Sequence, residues 1–126
     1  MRYPSYDFLV ATHEFLMRDV WNESYYGPCW PNLLQSALAR PIHAACYEKA
    51  DGIRQSAYLF HGLLMNHGFR QGNKRTAYAM LEWFLDANRL GSVVATDDEV
   101  IHFCLSAEND KWSIDEIEKW LCWNVE

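Results

Sequence analysis

His67-Gly68-Phe69-Arg70-Gln71-Gly72-Asn73-Lys74-Arg75-Thr76 gathers a proton carrier, an aromatic, two glycines and three cations into ten consecutive residues. Histidine is the side chain whose charge changes near neutral pH, so His67 is a candidate to take a proton from an attacking hydroxyl. Gly72 lets the backbone approach a ligand closely. Asn73 can cap the following helix and orient the loop. Lys74 and Arg75 fall in the first turn of that helix, where free backbone N–H groups and the helix dipole already favour an anion. Cations are disfavoured at that end unless an anion is present, so the pair argues for a phosphate site over a solvated first turn. Phe69 reads as the apolar anchor that pins the loop to the core. Together these residues are what phosphoryl or nucleotidyl transfer from a nucleoside triphosphate requires.

Such a loop must be held between rigid elements, and the flanking sequence supplies them. Ile53 to Asn66 carries Ala57, Phe60, Leu63 and Leu64 at helical spacing, with Tyr58 and Leu59 at the shoulders. Asn73 to Asn88 carries Ala77, Met80, Leu81, Phe84 and Leu85. Both are apolar around much of their circumference, which predicts two buried central helices. Gly91 is placed to stop the second. Upstream, Tyr6 to Val20 predicts a helix with Phe8, Ala11, Thr12, Phe15, Leu16 and Asp19 on its inward stripe. Asn22 to Pro31 is a loop broken by Gly27, Pro28 and Pro31. Pro31 to Arg40 predicts a short helix ended by Pro41, and Ile42 to Gly52 has no clear pattern. Thr96-Asp97-Asp98-Glu99 and Ser113-Ile114-Asp115-Glu116 each predict a helix opened by a capping box. The chain thus reads as nearly all helix, with no internal repeat or linker.

The 126 residues suffice for one domain, and half are hydrophobic. A net charge of −6 argues against a general nucleic-acid binder and isolates Arg70, Lys74 and Arg75 as a local anion site. No apolar leader opens the sequence and no run approaches a membrane span, so a cytoplasmic protein without membrane contact is expected. Cys29, Cys46, Cys104 and Cys122 form no Cys-x-x-Cys pair and read as reduced, mostly structural thiols.

Other motif readings fail on order or spacing. Gly68 to Lys74 lacks the G-x-x-x-x-G-K-[ST] order of a P-loop and follows a helix, not a strand; a dinucleotide fingerprint fails likewise. His61 and His67 are six apart across a helix end, and His13, His43 and His102 have no histidine three or four residues away, so no zinc hydrolase pattern exists. These four other histidines read as surface or satisfied core residues, and the six tryptophans as core or partner surface.

The stretch from His67 to Thr76 resembles the signature of the Fic/Doc family, histidine-x-phenylalanine-x-acid-glycine or alanine-asparagine-glycine or lysine-arginine. Lys74, followed by Arg75-Thr76-Ala77, is similar to the Doc (death-on-curing toxin) branch, where the Fic branch has glycine. Thr12-His13-Glu14, Leu33 to Pro41, Leu59-Phe60-His61-Gly62-Leu63 and Ser113 to Leu121 extend the resemblance over most of the chain. It implies an all-α Fic/Doc domain of about six helices over residues 1–126, with the active loop between two central helices. It implies His67 as catalytic residue, phosphate or nucleotide binding at Gly72, Asn73, Lys74 and Arg75, and ATP or another nucleoside triphosphate as substrate. Doc-type toxins phosphorylate a translation elongation factor, so a protein kinase toxin with a cognate antitoxin is the expected role. Nucleotidyl transfer such as AMPylation is the alternative, and a catalytically degenerate interaction protein is the third.

Two departures bear on the chemistry. Family members that use Mg²⁺ place an Asp or Glu where this chain has Gln71, and a neutral amide is a weaker ligand for a hard cation, so with Mg²⁺ either the triphosphate itself holds the metal, or another acid helps, or activity is low. Ala79 stands where some Doc-type proteins carry asparagine. The Fic self-inhibition motif, Ser or Thr followed four residues later by Glu, finds no match: Ser113 has Ile117, Thr96 has Val100 and Ser106 has Asp110 at that distance. Restraint by a separate antitoxin protein is what this absence implies.

Overall fold

A computed structural model describes residues 1–126. It is all-helical: α1 (Tyr6–Phe15), α2 (Pro31–Tyr47), α3 (Gly52–Asn66), α4 (Asn73–Ala87), α5 (Asp97–Asn109) and α6 (Ile114–Asn124). Helix α1 continues through wider π-turns over Leu16–Val20. The only β pairing is two isolated bridges, Pro28 with Phe69 and Val93 with Val125.

Helix α3 is the axis of the fold and packs against α2, α4 and α6. Its buried set includes Ala57, Leu59, Phe60, Leu63 and Leu64, and α4 buries Ala77, Met80, Leu81, Phe84 and Leu85. These are the apolar positions that the 3.6-residue period selects. At ~1.5–3 kcal/mol for each fully buried large side chain, this interior holds both helices in place. Phe103 of α5 stacks on Trp120 of α6 at 3.8 Å and on Phe60 of α3 at 4.9 Å, tying the last two helices to the axis. Both predicted capping boxes form, Thr96 with Glu99 and Ser113 with Glu116.

Three local expectations are corrected. Pro41 does not end α2, which runs on to Tyr47 and so takes in part of the stretch left without a pattern. Proline only disfavours the helix; here Pro41 and Ala44 are buried, and Gly62 of α3 leaves so little room that a Cβ there would lie 3.0 Å from that of Ala37. The packing outweighs the lost hydrogen bond. The inward stripe of α1 is Leu9, His13 and Met17, whereas Phe8 and Phe15 are exposed at 37% and 56%. A polar residue at the centre of the true stripe hides it from a hydrophobicity pattern. Helix α4 is stopped by Arg89, at φ 55°, two residues before Gly91, with Leu90 N–H donating to Leu85 O at 2.9 Å.

Candidate functional site

Helix α3 ends at His67, which adopts the left-handed conformation (φ 51°, ψ 50°) and leaves its side chain 57% exposed. That backbone is uncommon outside glycine and asparagine, and it turns the chain sharply from α3 toward α4. Phe69, three percent exposed, roots the turn in the core. Asn73 does not cap α4, contrary to the sequence-based expectation: Gly72, at φ 78°, is the N-cap, and no side chain bonds the helix start. Asn73 spans the turn instead. Its Nδ2 donates to Phe69 O at 2.8 Å, and its Oδ1 accepts from Phe69 N–H at 3.1 Å. The first intrahelical bond of α4 is Thr76 N–H to Gly72 O, 3.0 Å, so the amides of Asn73, Lys74 and Arg75 remain at the helix mouth.

A polar cleft of about 320 Å³ opens there, lined by His67, Arg70, Gln71, Gly72, Asn73, Lys74, Arg75 and Glu108. The expected site residues other than Phe69 therefore line one concavity, and α5 adds Glu108. Glu108 Oε1 accepts from Lys74 Nζ at 2.8 Å, and Oε2 lies 3.6 Å from His67 Nε2. Arg75 forms a two-pronged pair with Glu23, both contacts 3.0 Å, and its guanidinium stacks over Trp21 at 4.2 Å. The cations at the start of α4 thus face anions, but carboxylates of the same chain. Arg70 lies over the ring of Tyr26 at 4.2 Å. Beside the cleft, an apolar cavity of about 230 Å³ shares Lys74 and Arg75 and is otherwise lined by Trp21, Tyr78, Val100, Ile101, Cys104 and Leu105.

Residues 21–30 form a strap across the loop. Gln71 Nε2 donates to Ser24 O at 3.0 Å, and the amides of Cys29 and Trp30 both donate to Gly68 O. From below, His13 of α1 stacks on Phe69, centroids 3.7 Å apart and planes 6° from parallel, while its Nε2 meets Gln71 O at 2.9 Å. Burial pushes the His13 pKa below the ordinary histidine value, opposed by the bond to that carbonyl. His13 is therefore the support of the loop rather than a bystander. Sequence reasoning missed its role, together with Glu23 and Glu108, because they lie 58, 52 and 34 residues from their partners. The Thr12-His13-Glu14 resemblance was the one available signal for His13.

The cleft is a poor seat for Mg²⁺. Gln71 has its amide nitrogen committed to Ser24, and Glu108, the one carboxylate of the lining, is committed to Lys74. No group of three or more His, Cys, Asp and Glu side chains converges anywhere in the fold. The residues present do not make the oxygen-rich set that a hard cation takes. No helix is long and apolar enough to cross a membrane.

No curated protein matches the chain. The model of the Fic/DOC family matches residues 3–85, from the segment before α1 through the loop and nearly all of α4. Glu108 lies beyond that match. Two thirds of the sequence, including the whole His67 to Thr76 stretch, carries the family pattern on an all-helical frame, and the chain belongs to the Fic/DOC family, generally a family of transferases.

Proposed function

We propose that the chain is a Doc-like protein kinase toxin of the cytoplasm, restrained by a cognate antitoxin protein. The observation that carries this reading is the convergence of His67, the open amides of α4, Lys74 and Arg75 on one polar cleft. In this reading the triphosphate lies across the mouth of α4, with Lys74 and Arg75 against its oxygens. The adjoining apolar cavity takes the base, since the polar cleft has no apolar wall for it. A target hydroxyl oxygen attacks the γ-phosphorus, the bridging bond to the β-phosphate breaks, ADP leaves, and the hydroxyl proton passes to His67. Binding requires the anion to draw Lys74 away from Glu108.

Nucleotidyl transfer uses the same cleft with the α-phosphorus before His67 and pyrophosphate as leaving group. Lys74, standing where a glycine would leave space for the nucleotide, favours the kinase orientation. Gln71 favours a third reading, an interaction protein without catalysis. The experiment is incubation with a translation elongation factor and ATP labelled at either the γ or the α position. Label from γ supports the kinase, label from α supports nucleotidyl transfer, and absence of both against a broad panel of target proteins refutes both.

A further inference from the structure

We propose that His13 is a positioning residue: it holds the Gln71–Gly72 turn in the shape that presents the amides of Asn73, Lys74 and Arg75 to a phosphate group. The inference deepens the transferase reading and rests on it for the identity of the anion.

The argument starts from the tautomer. A carbonyl oxygen only accepts, so the 2.9 Å contact to Gln71 O requires the proton on Nε2. Nδ1 is then a bare acceptor, and it is buried with no partner. A residue chosen for packing alone would avoid that cost, because an unpaired buried polar atom is unfavourable where phenylalanine or leucine would be neutral. What distinguishes histidine at 2% exposure is the bond it makes to the loop. That bond fixes the peptide between Gln71 and Gly72, and Gly72 is the left-handed N-cap of α4. A Cβ at Gly72 would come 3.4 Å from His13 Nε2 and 2.7 Å from Met17 Sδ. His13 and Met17 therefore form a bed against which the turn is pressed, and His13 is its polar contact. The parallel stack on Phe69 fixes the ring plane that aims Nε2.

The test uses the whole chain and three proteins: wild type, His13→Phe, which keeps a planar ring but no donor, and His13→Gln, which restores an N–H at the reach of Nε2. Amide hydrogen exchange is read at Thr76, whose N–H donates to Gly72 O, and tripolyphosphate and ATP are titrated by calorimetry. The expected result for His13→Phe is about tenfold faster exchange at that amide, and about five- to tenfold weaker triphosphate binding, both largely recovered in His13→Gln. Equal exchange and affinity in wild type and His13→Phe overturn the proposal. Nitrogen NMR of the wild-type imidazole decides independently of any variant's folding: an Nε2–H tautomer coupled to the Gln71 carbonyl supports it, and an Nδ1–H tautomer overturns it. A wild-type chain that binds no triphosphate removes the transferase reading, and the exchange ratio then decides His13 alone.

Discussion

Replacing Glu108 by glutamine is predicted to tighten, not weaken, the binding of a triphosphate. Glu108 Oε1 holds Lys74 Nζ at 2.8 Å, so an incoming phosphate oxygen competes with a carboxylate already in place. Lys74 is 39% and Glu108 19% exposed, which sets the pair between a surface ion pair of ~0.2–1 kcal/mol and a desolvated charged hydrogen bond of ~1.5–3 kcal/mol. Solvent screening at Lys74 favours the lower part of that span, about 1 kcal/mol. Removing the negative charge also relieves its repulsion of the anion, by a few tenths to ~1 kcal/mol at this range. Together these amount to about five- to thirtyfold in affinity. Glutamine keeps the shape and an acceptor for Lys74, so the packing of α5 against α4 is retained. The assay is calorimetric titration of ATP and tripolyphosphate without divalent cations at low ionic strength, repeated at high salt. The gain must shrink as salt rises, because screening weakens both terms. Unchanged or weaker binding by Glu108→Gln at low salt would refute the view that Glu108 occupies the anion's place on Lys74.

His67→Asn is expected to fold as wild type, since asparagine tolerates the left-handed backbone found there, and to lose ~10²–10⁴-fold in transfer to a target hydroxyl; labelled-phosphate transfer and a melting curve check both halves. Gln71→Asp forfeits the donor to Ser24 O and adds a negative charge to the cleft lining, so triphosphate affinity measured in chelator is expected to fall at least severalfold; an increase would contradict the electrostatic reading of the cleft. Stability is expected to decline on acidification from pH 7 to pH 5. Burial lowers the pKa of His13 and of His61, where the Arg40 guanidinium adds to the effect, so the folded chain binds fewer protons than the unfolded chain there. The contribution is complete above the ordinary histidine range and lost as pH falls through it, at up to ~1.4 kcal/mol per pH unit for each ring. Denaturant melts of wild type and His13→Gln check it, the variant showing the shallower decline.

The helical class and the two central helices were legible in the residues alone, because α3 and α4 repeat apolar side chains at the helical period and bury those same positions. So was the loop between them, since its chemistry is written in ten adjacent residues. Capping boxes were legible for the same reason: Thr96 and Ser113 act on residues three positions away. Tertiary structure decided whatever depends on distant partners. Pro41 sits inside α2 because burial outweighs a local preference, and α1 turns His13 inward because the loop above it supplies an acceptor. Lys74 and Arg75 looked like free cations because their carboxylates, Glu108 and Glu23, come from α5 and from the strap. Periodicity and capping are short-range rules. Ion pairing and burial are set by which surfaces the fold brings together, and at this site those surfaces decide what an incoming anion must displace.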